Sequence, residues 1–260
     1  MRRRVIRMIV AAAVLVGVSA SPMPTRAVVN TAYVGDAAHS GGGSCADPDF
    51  STHGSSIDVA LHAAIAAVDS DGDTIVVCAG RYTFAAEPVG VAGMGYDFTL
   101  RAERVGSVTL DGGGEYTILK ASGSHLTVDG IRFVHAGAGG ALVHPEGDLT
   151  VTHSVFDANV RGPNDGFGGI PFNFGGGAIA GDWNCNDSVT ISDSTFSNSV
   201  GPTGAVSTCM VVVARSIFTN NSTNGLGAAL YVCDLDLSDS TFAGNRAGGS
   251  GGAVSACDIS

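Results

Sequence analysis

The sequence contains little charge, few aromatic residues, and no apolar run long enough to cross a membrane. Charged residues make up 14% and aromatic residues 7% of the 260 residues. A core built mainly from large rings is therefore excluded, and small and β-branched core residues are favoured. Because 45% of the residues are hydrophobic, disorder caused by low hydropathy is excluded as well. The 38 glycines follow no three-residue period, which excludes collagen.

Basic residues are scarce, and many of them lie at the start of the chain. The formal net charge is −11. Residues 1–27 contain five of the 13 basic residues and no acidic residue, so the rest of the chain has 8 basic and 24 acidic residues, a net charge of −16. No nucleic-acid partner is expected, since such binding depends on neutralising phosphates. We also expect a polyanionic partner to be repelled unless divalent cations intervene.

The first 27 residues have the pattern of an export signal. A basic segment from Arg2 to Arg7 precedes the apolar stretch from Met8 to Val18, and small residues follow up to Ala27. The apolar stretch is too short for an ordinary membrane-spanning helix, although a retained anchor is the alternative. We therefore expect residues 1–27 to be a signal peptide and the mature chain to have no transmembrane span. The expected location is extracellular, at the cell surface, or associated with an outer membrane.

A repeat of 22–24 residues is the strongest signal in the sequence. Five phenylalanines share one pattern, in which one aliphatic residue stands seven positions before the phenylalanine and another stands five positions before it: Phe133, Phe156, Phe196, Phe218 and Phe242. Their spacings are 23, 40, 22 and 24, so the 40 is one unit with a long insertion. Each alternating start indicates a short strand, and a second short strand follows a glycine-rich turn in most units. Strands at this period with no helix between them predict an all-β parallel β-helix with coils about 4.8 Å apart.

Two short motifs alternate along the repeats and carry a family resemblance. The first motif occurs as Phe156-Asp-Ala-Asn159, Phe218-Thr-Asn-Asn221 and Phe242-Ala-Gly-Asn245, and the second as Gly139-Gly-Ala-Leu142, Gly176-Gly-Ala-Ile179 and Gly251-Gly-Ala-Val254. They resemble the F-x-x-N and G-G-A-[ILV] halves of the polymorphic outer-membrane protein repeat, over about residues 126–259. Ala136 and Ser199 depart from the pattern where asparagine is expected. The resemblance implies a secreted or surface-displayed right-handed β-helix, often adhesive.

A helix is predicted before the first coil, where it would cap the stack. Ser56 can begin a helix over residues 56–68, whose apolar stripe includes Ile57, Leu61 and Ile65. A strand is predicted at 75–78, directly after the helix and a turn. Because unpaired strand edges invite aggregation, an open β-helix needs such a cover on its first coil.

The predicted organisation has three parts. Residues 1–27 form the signal peptide, residues 28–97 the N-terminal cap and first coil, and residues 98–260 the β-helix with an insertion at 161–184. Residue 260 falls within a coil, so the β-helix is expected to be incomplete at its C-terminus. We accordingly expect a monomer or part of a longer chain.

Six cysteines in an exported chain predict disulfide bonds. Four of them are separated by 24 residues each, one coil apart: Cys185, Cys209, Cys233 and Cys257. Pairing the first two and the last two uses all four thiols, but the middle two are equally adjacent. Cys45 and Cys78 remain as a pair joining the leading segment to the first coil. A zinc site is a weaker alternative, because the sequence has no C-x-x-C motif.

No catalytic, cofactor or metal site is assigned from the sequence. The segment from Asp69 to Asp73 is acidic like a calcium loop, but Gly80 stands at the twelfth position where glutamate is required, so Ca²⁺ lacks motif support. Five carboxylates are candidates for the paired carboxylates of polysaccharide-cleaving β-helix enzymes, with Arg132 or Arg161 as a basic partner. We interpret all five instead as solvated turn residues: Asp129, Asp148, Asp157, Asp165 and Asp187. Four histidines are expected at the surface: His125, His135, His144 and His153.

The insertion at 161–184 is the best candidate for binding a ligand or partner. Its aromatic residues are rare in this chain and include the only tryptophan; the candidates are Phe167, Phe172, Phe174 and Trp183. Long loops on regular scaffolds often carry binding, and exposed rings can stack on sugars or fill a partner's pocket. The alternative is that the rings fold back and cover the side of the β-helix.

Two functions follow from these observations. The first is a secreted or cell-surface scaffold, adhesive or structural, because no catalytic motif is present. The alternative is a carbohydrate-active β-helix, similar in fold to pectate lyases, that binds or degrades polysaccharides. The expected partners are glycans or cell-surface proteins.

Overall fold

The protein is a parallel β-helix in a computed structural model that describes residues 31–38, 42–85, 89–92, 95–122, 125–137, 139–162, 175–181, 183 and 185–260. Residues 1–27 and the phenylalanines of the insertion lie outside these ranges. Three parallel sheets run along the stack, and each coil contributes one strand to each sheet. The predicted all-β class and solenoid architecture are confirmed.

The helix and strands have the following bounds in chain order. The leading segment and first coil contain β1 (Thr31–Gly35), β2 (Phe50–Ser51), α1 (Ile57–Ala66), β3 (Asp73–Val77), β4 (Gly80–Thr83) and β5 (Val89–Ala92). The next three coils contain β6 (Phe98–Ala102), β7 (Val108–Asp111), β8 (Leu119–Ser122), β9 (Leu126–Asp129), β10 (Ile131–Val134), β11 (Leu142–Glu146), β12 (Leu149–Thr152), β13 (Val155–Asp157) and β14 (Ile179–Gly181). The remaining strands are β15 (Ser188–Ser192), β16 (Thr195–Ser197), β17 (Val206–Ser207), β18 (Met210–Ala214), β19 (Ile217–Thr219), β20 (Ser222–Thr223), β21 (Leu230–Tyr231), β22 (Asp234–Ser238), β23 (Thr241–Ala243), β24 (Arg246–Ala247), β25 (Val254–Ser255) and β26 (Asp258–Ile259).

The sheet order follows the coil order. The first sheet has ten strands in the order β2-β1-β3-β6-β9-β12-β15-β18-β22-β26. The second and third sheets have seven strands each, β4-β7-β10-β13-β16-β19-β23 and β5-β8-β11-β14-β17-β21-β25. A short pair, β20 and β24, lies in the turns between the second and third sheets. Since each coil repeats the one before it, residues of the same repeat position form columns along the stack.

The repeated phenylalanines form a continuous stack inside the β-helix. Rings of neighbouring coils lie 4.8 Å apart from Phe133 through Phe218, and 5.0 Å separates Phe218 from Phe242. Neighbouring planes differ by no more than 7°. The first four rings are fully buried. This column fixes the register of the coils and explains why the unit is read most clearly at phenylalanine.

Serine side chains form a second column at the corner between the first and second sheets. The backbone N–H of Ser154 donates to Oγ of Ser194 at 3.1 Å, and the N–H of Ser194 donates to Oγ of Ser216 at 3.2 Å. Each hydroxyl also donates to the carbonyl two residues earlier, at 2.7–2.8 Å. The repeated serine therefore satisfies buried backbone groups at a tight corner.

Asparagine side chains of the F-x-x-N motif also satisfy buried backbone groups, at the corner after the second sheet. Oδ1 of Asn159 accepts from the N–H of Ala136 at 2.9 Å, and its Nδ2 donates to the Phe133 carbonyl at 2.9 Å. Asn221 bonds Ser199 and Phe196 in the same way. Ala136 and Ser199, which break the motif, keep their place because the asparagine of the next coil bonds their backbone. The motif thus builds the coil and carries no chemistry of its own.

The leading segment covers the first coil as expected. Helix α1 is two residues shorter at its C-terminal end than predicted, and Ser56 occupies the N-cap position without a side-chain capping bond. Ile57, Leu61 and Ile65 are buried and join the core of the β-helix. The first coil comprises β3, β4 and β5, and the second begins at Phe98.

No helix among the described residues is long and apolar enough to span a membrane.

Candidate functional site

A groove of about 830 Å³ runs over the turns that lead from the second sheet into the third. Its lining comes from successive coils and includes Arg161, Thr203, Thr223, Asn224, Tyr231 and Arg246. We call this feature the arginine groove. The predicted insertion at 161–184 begins at the same turn, with Arg161 as its first residue.

Arg161 is held rigidly at one end of the arginine groove. Its backbone N–H donates to the Val200 carbonyl at 2.8 Å, and its Nη1 donates to the Gly139 carbonyl at 3.1 Å. The residue is only 3% exposed. Gly175 packs against the guanidinium with a φ of 146°, and a side chain there would overlap Nε and Cζ. A glycine is therefore required for this arginine to keep its position.

Two threonines order the wall of the arginine groove. Thr203 Oγ1 accepts from the N–H of Gly175 at 2.9 Å and donates to Oγ of Ser207 at 2.9 Å. Thr223 Oγ1 donates to the Pro202 carbonyl at 2.6 Å. These bonds tie turns of neighbouring coils together. The wall is consequently preorganised, which lowers the entropic cost of binding a ligand.

Arg246 lies at the other end of the arginine groove on an exposed position. Strand β24 pairs with β20 so that Arg246 stands beside Ser222, and a bridge continues from Ser222 to Val200. Val200 in turn pairs with Val160, the neighbour of Arg161 in sequence. The two arginines are therefore three coils apart, or roughly 14 Å along the axis. This separation suits an extended ligand lying along the stack.

The aromatic part of the site is Tyr231, with Trp183 packed against it. The two rings have centroids 4.9 Å apart and planes tilted by 39°. Trp183 is half-buried, so it lies along the side of the β-helix, as the alternative interpretation of the insertion proposed. Of the four aromatic candidates it is the one that the structure describes; Phe167, Phe172 and Phe174 lie outside the described residues.

The charge of the arginine groove is opposite to that of the chain. The described residues that line it include two arginines and no aspartate or glutamate. Eight of the basic residues lie beyond residue 27, so two of eight are placed in one groove. The net charge of the chain did not reveal this, because clustering of distant turn residues depends on the register of the coils.

Of the described acidic candidates, Asp148 and Asp187 lie at the same corner of neighbouring coils, while Asp129 and Asp157 end strands of different sheets. Asp129 accepts from Thr152 and contacts His153, while Asp148 accepts from the N–H and hydroxyl of Ser188. The bond from the Ser188 N–H holds the pKa of Asp148 below its usual range. These carboxylates therefore tie neighbouring coils together at opposite ends of the strands of the first sheet.

Asp157, at the end of β13, and Asp187, just before β15, have similar roles. Asp157 accepts from Ser197 Oγ at 2.7 Å and Asn198 Nδ2 at 2.8 Å, and Asp187 accepts from the N–H of Gly147 at 2.8 Å. Asp165 lies outside the described residues. The described carboxylates were interpreted as solvated turn residues, but Asp129 and Asp157 end strands and each of the four bonds a neighbouring coil.

The acidic segment after α1 is a turn between helix and strand. Asp73 accepts from the N–H of Asp69 at 3.1 Å, and Asp71 accepts from the N–H of Asp97 at 3.0 Å. Two of its carboxylates thus bond backbone groups. That the chain holds no cofactor, with Ca²⁺ unsupported by a motif, stays a prediction from the sequence.

A charged cluster at the corner after the second sheet was missed in the sequence. Asp111 pairs with Arg81 and with Nδ1 of His135, which lies 3.2 Å from its Oδ1. Burial raises the pKa of Asp111, but the N–H of Gly113 and the Arg81 guanidinium outweigh it and lower the pKa. The partners are 24 and 30 residues apart, so the cluster depends on coil register.

One of the four histidines contradicts the expectation of a surface position. His144 is 1% exposed in β11, where Leu142 and Val143 before it are fully buried too. Burial lowers its pKa. Period-two alternation could not have identified it, because three successive residues of this strand are buried.

The cysteines form two disulfides among the expected pairs. Cys45 bonds Cys78, and Cys185 bonds Cys209 across one coil step with a Cα–Cα distance of 5.1 Å. Disulfides of this kind suggest an exported protein. Cys233 and Cys257 follow in the same column as thiols, and their pairing stays a prediction.

Comparisons with known proteins give one fold-level likeness. No protein-family model matches the chain, and no curated protein matches it in sequence; the resemblance to polymorphic outer-membrane protein repeats is therefore not confirmed. A solved structure, the PL6 family alginate lyase AlyGC, matches with a TM-score of 0.49 and 14% identity over 85% of this chain. The match covers 29% of that chain, so the present chain spans less than a third of its length.

Proposed function

We propose that the protein binds an acidic polysaccharide along the arginine groove. The observation that carries the proposal is the exposed Arg246 in a groove whose described lining also includes the buried Arg161 and has no carboxylate. Guanidinium groups bind carboxylates and sulfates through paired, charge-assisted hydrogen bonds. The acidic chain thus offers an anionic ligand a local cationic site.

The shape of the arginine groove supports a polymer as the ligand. Its length crosses three coil steps, and its lining combines the exposed amide of Asn224 with the ring of Tyr231. Such a lining is typical of sugar recognition, in which polar groups bond hydroxyls and an aromatic ring stacks on the apolar face of a sugar. Of the two functions predicted from the sequence, the carbohydrate-active one is therefore better supported.

A panel of soluble polysaccharides tests the proposal by calorimetric titration of the full chain. The panel contains polyuronates, sulfated glycans and neutral glucans of matched length. We expect binding to the acidic polymers and none to the neutral ones. Binding to neutral glucans alone, or to no polymer, would refute the proposal.

The same samples decide whether binding leads to cleavage. Elimination from a uronate leaves a double bond next to the carboxylate, which absorbs ultraviolet light, and hydrolysis releases new reducing ends. An increase in either signal would identify an enzyme. Binding without either signal would identify a saccharide-binding β-helix.

A further inference from the structure

The four cysteines spaced 24 residues apart form one column on neighbouring coils. The N–H of Cys233 donates to the Cys209 carbonyl at 2.8 Å, and the N–H of Cys257 donates to the Cys233 carbonyl at 3.0 Å. The Sγ atoms of Cys185, Cys209 and Cys233 all lie within 4.8 Å of one another. A thiol is therefore held beside an existing disulfide by the backbone register of the coils.

We propose that this column is a disulfide-exchange site, in which the bridge moves from Cys185–Cys209 to Cys209–Cys233. The Cys233 thiolate attacks Sγ of Cys209 and forms the new S–S bond. The bond to Cys185 breaks, and its electron pair leaves with Cys185 as a thiolate. That thiolate takes up the proton that Cys233 gave up, so one thiol and one disulfide are present before and after the step.

The geometry permits the new bridge without moving a coil. The bridged pair has a Cα–Cα distance of 5.1 Å, which is the spacing between neighbouring coils. Cys209 and Cys233 are also one coil apart and share a backbone hydrogen bond. Their separation therefore falls in the range that a disulfide requires. Because the exchange leaves the number of thiols and disulfides unchanged, it needs no oxidant and no reductant.

Exchange changes which segment is covalently linked to the β-helix. Cys185 is exposed and follows Trp183 by two residues, and Trp183 packs on Tyr231 in the wall of the arginine groove. Cys209, by contrast, is buried within the stack. Moving the bridge to Cys233 releases the Cys185 end, and with it the covalent tether beside Trp183. The position of the bridge therefore controls how firmly Trp183 covers Tyr231.

The rate of exchange depends on forming the Cys233 thiolate. Burial raises the pKa of Cys233, and the neighbouring Cys257 and Asp234 raise it further. Since the thiolate is the nucleophile, exchange is slow near neutral pH and faster in alkaline buffer.

Disulfide mapping tests the exchange in the full chain carrying Cys257→Ser, which leaves one thiol in the column. The protein is incubated at about pH 9, quenched with acid, alkylated, and analysed by mass spectrometry without reduction. We expect peptides bridged through Cys209–Cys233, with the alkyl label on Cys185, in a proportion independent of protein concentration. Label found on Cys233 alone after incubation, with only the original bridge, would overturn the proposal.

Fluorescence of the single tryptophan tests the structural consequence independently of saccharide binding. Cys233→Ser keeps the original bridge, whereas Cys185→Ser, refolded with oxidised glutathione, permits only bridges beyond Cys185. We expect the emission of Trp183 to shift to longer wavelength in Cys185→Ser, since the ring gains solvent. Identical emission from two variants with equal circular dichroism would show that the bridge does not hold Trp183.

Discussion

Replacing Asn221 with alanine should lower the stability of the β-helix substantially. The side chain is fully buried and accepts from the N–H of Ser199 at 3.0 Å. It also donates to the Phe196 carbonyl at 2.9 Å. Alanine would leave both backbone groups buried without a partner, and each such group costs about 1–3 kcal/mol. We expect the free energy of unfolding to fall by roughly 2–4 kcal/mol.

The assay is urea unfolding followed by circular dichroism, with Asn186→Ala as the matched control. Asn186 is exposed, so its replacement should change the free energy of unfolding by less than about 0.5 kcal/mol. Asn221→Ser should fall between the two, because a serine already occupies the equivalent position 199 and bonds the Ser197 carbonyl there. Equal midpoints for Asn221→Ala and Asn186→Ala would refute the view that the asparagine column holds the coils together.

Three further predictions concern the stability of the stack. Phe196→Ala should lower the free energy of unfolding by about 3–5 kcal/mol, because it leaves a gap between two stacked rings. Phe242 is half-buried at the end of the stack, so Phe242→Ala should cost clearly less. Equal losses in thermal or urea unfolding would contradict this. Cys45→Ser removes a bridge across 33 residues and should cost roughly 3–4 kcal/mol, read from the same unfolding curves, while an unchanged midpoint would show that this bridge is dispensable. Burial lowers the pKa of His144, so below about pH 6.5 the unfolded chain binds a proton at this residue that the folded chain does not. The free energy of unfolding should therefore fall as the pH decreases below about 6.5. His144→Gln should flatten this part of the pH profile and the exposed His62→Gln should not; equal slopes would refute the assignment.

The fold was predictable because its signals lie close together in sequence. The phenylalanine spacing, the serine two residues before it, and the F-x-x-N motif each satisfy a local need of the coil. Their period then specifies which residues stack. The structure confirms the columns that begin at Phe133 and Ser154 for this reason.

The candidate site was less predictable because it joins residues from turns of different coils. Arg161 and Arg246 are 85 residues apart in sequence and come together only through the register of three coil steps. Neither lies in a motif. The sequence directed attention to the aromatic residues of the insertion, and of these Trp183 packs beside the arginine groove rather than away from it.

The most direct test of the proposed function compares two single charge removals in saccharide binding. Arg246→Gln removes an exposed arginine from the arginine groove, and Arg104→Gln removes an exposed arginine elsewhere in the chain. Hydrogen bonds to charged groups contribute about 1.5–3 kcal/mol, so Arg246→Gln should raise the Kd for a polyuronate by roughly tenfold or more. Arg104→Gln should leave that Kd unchanged within about twofold, because the overall charge change is the same but the groove is intact. Equal Kd values for the two variants would contradict binding in the arginine groove.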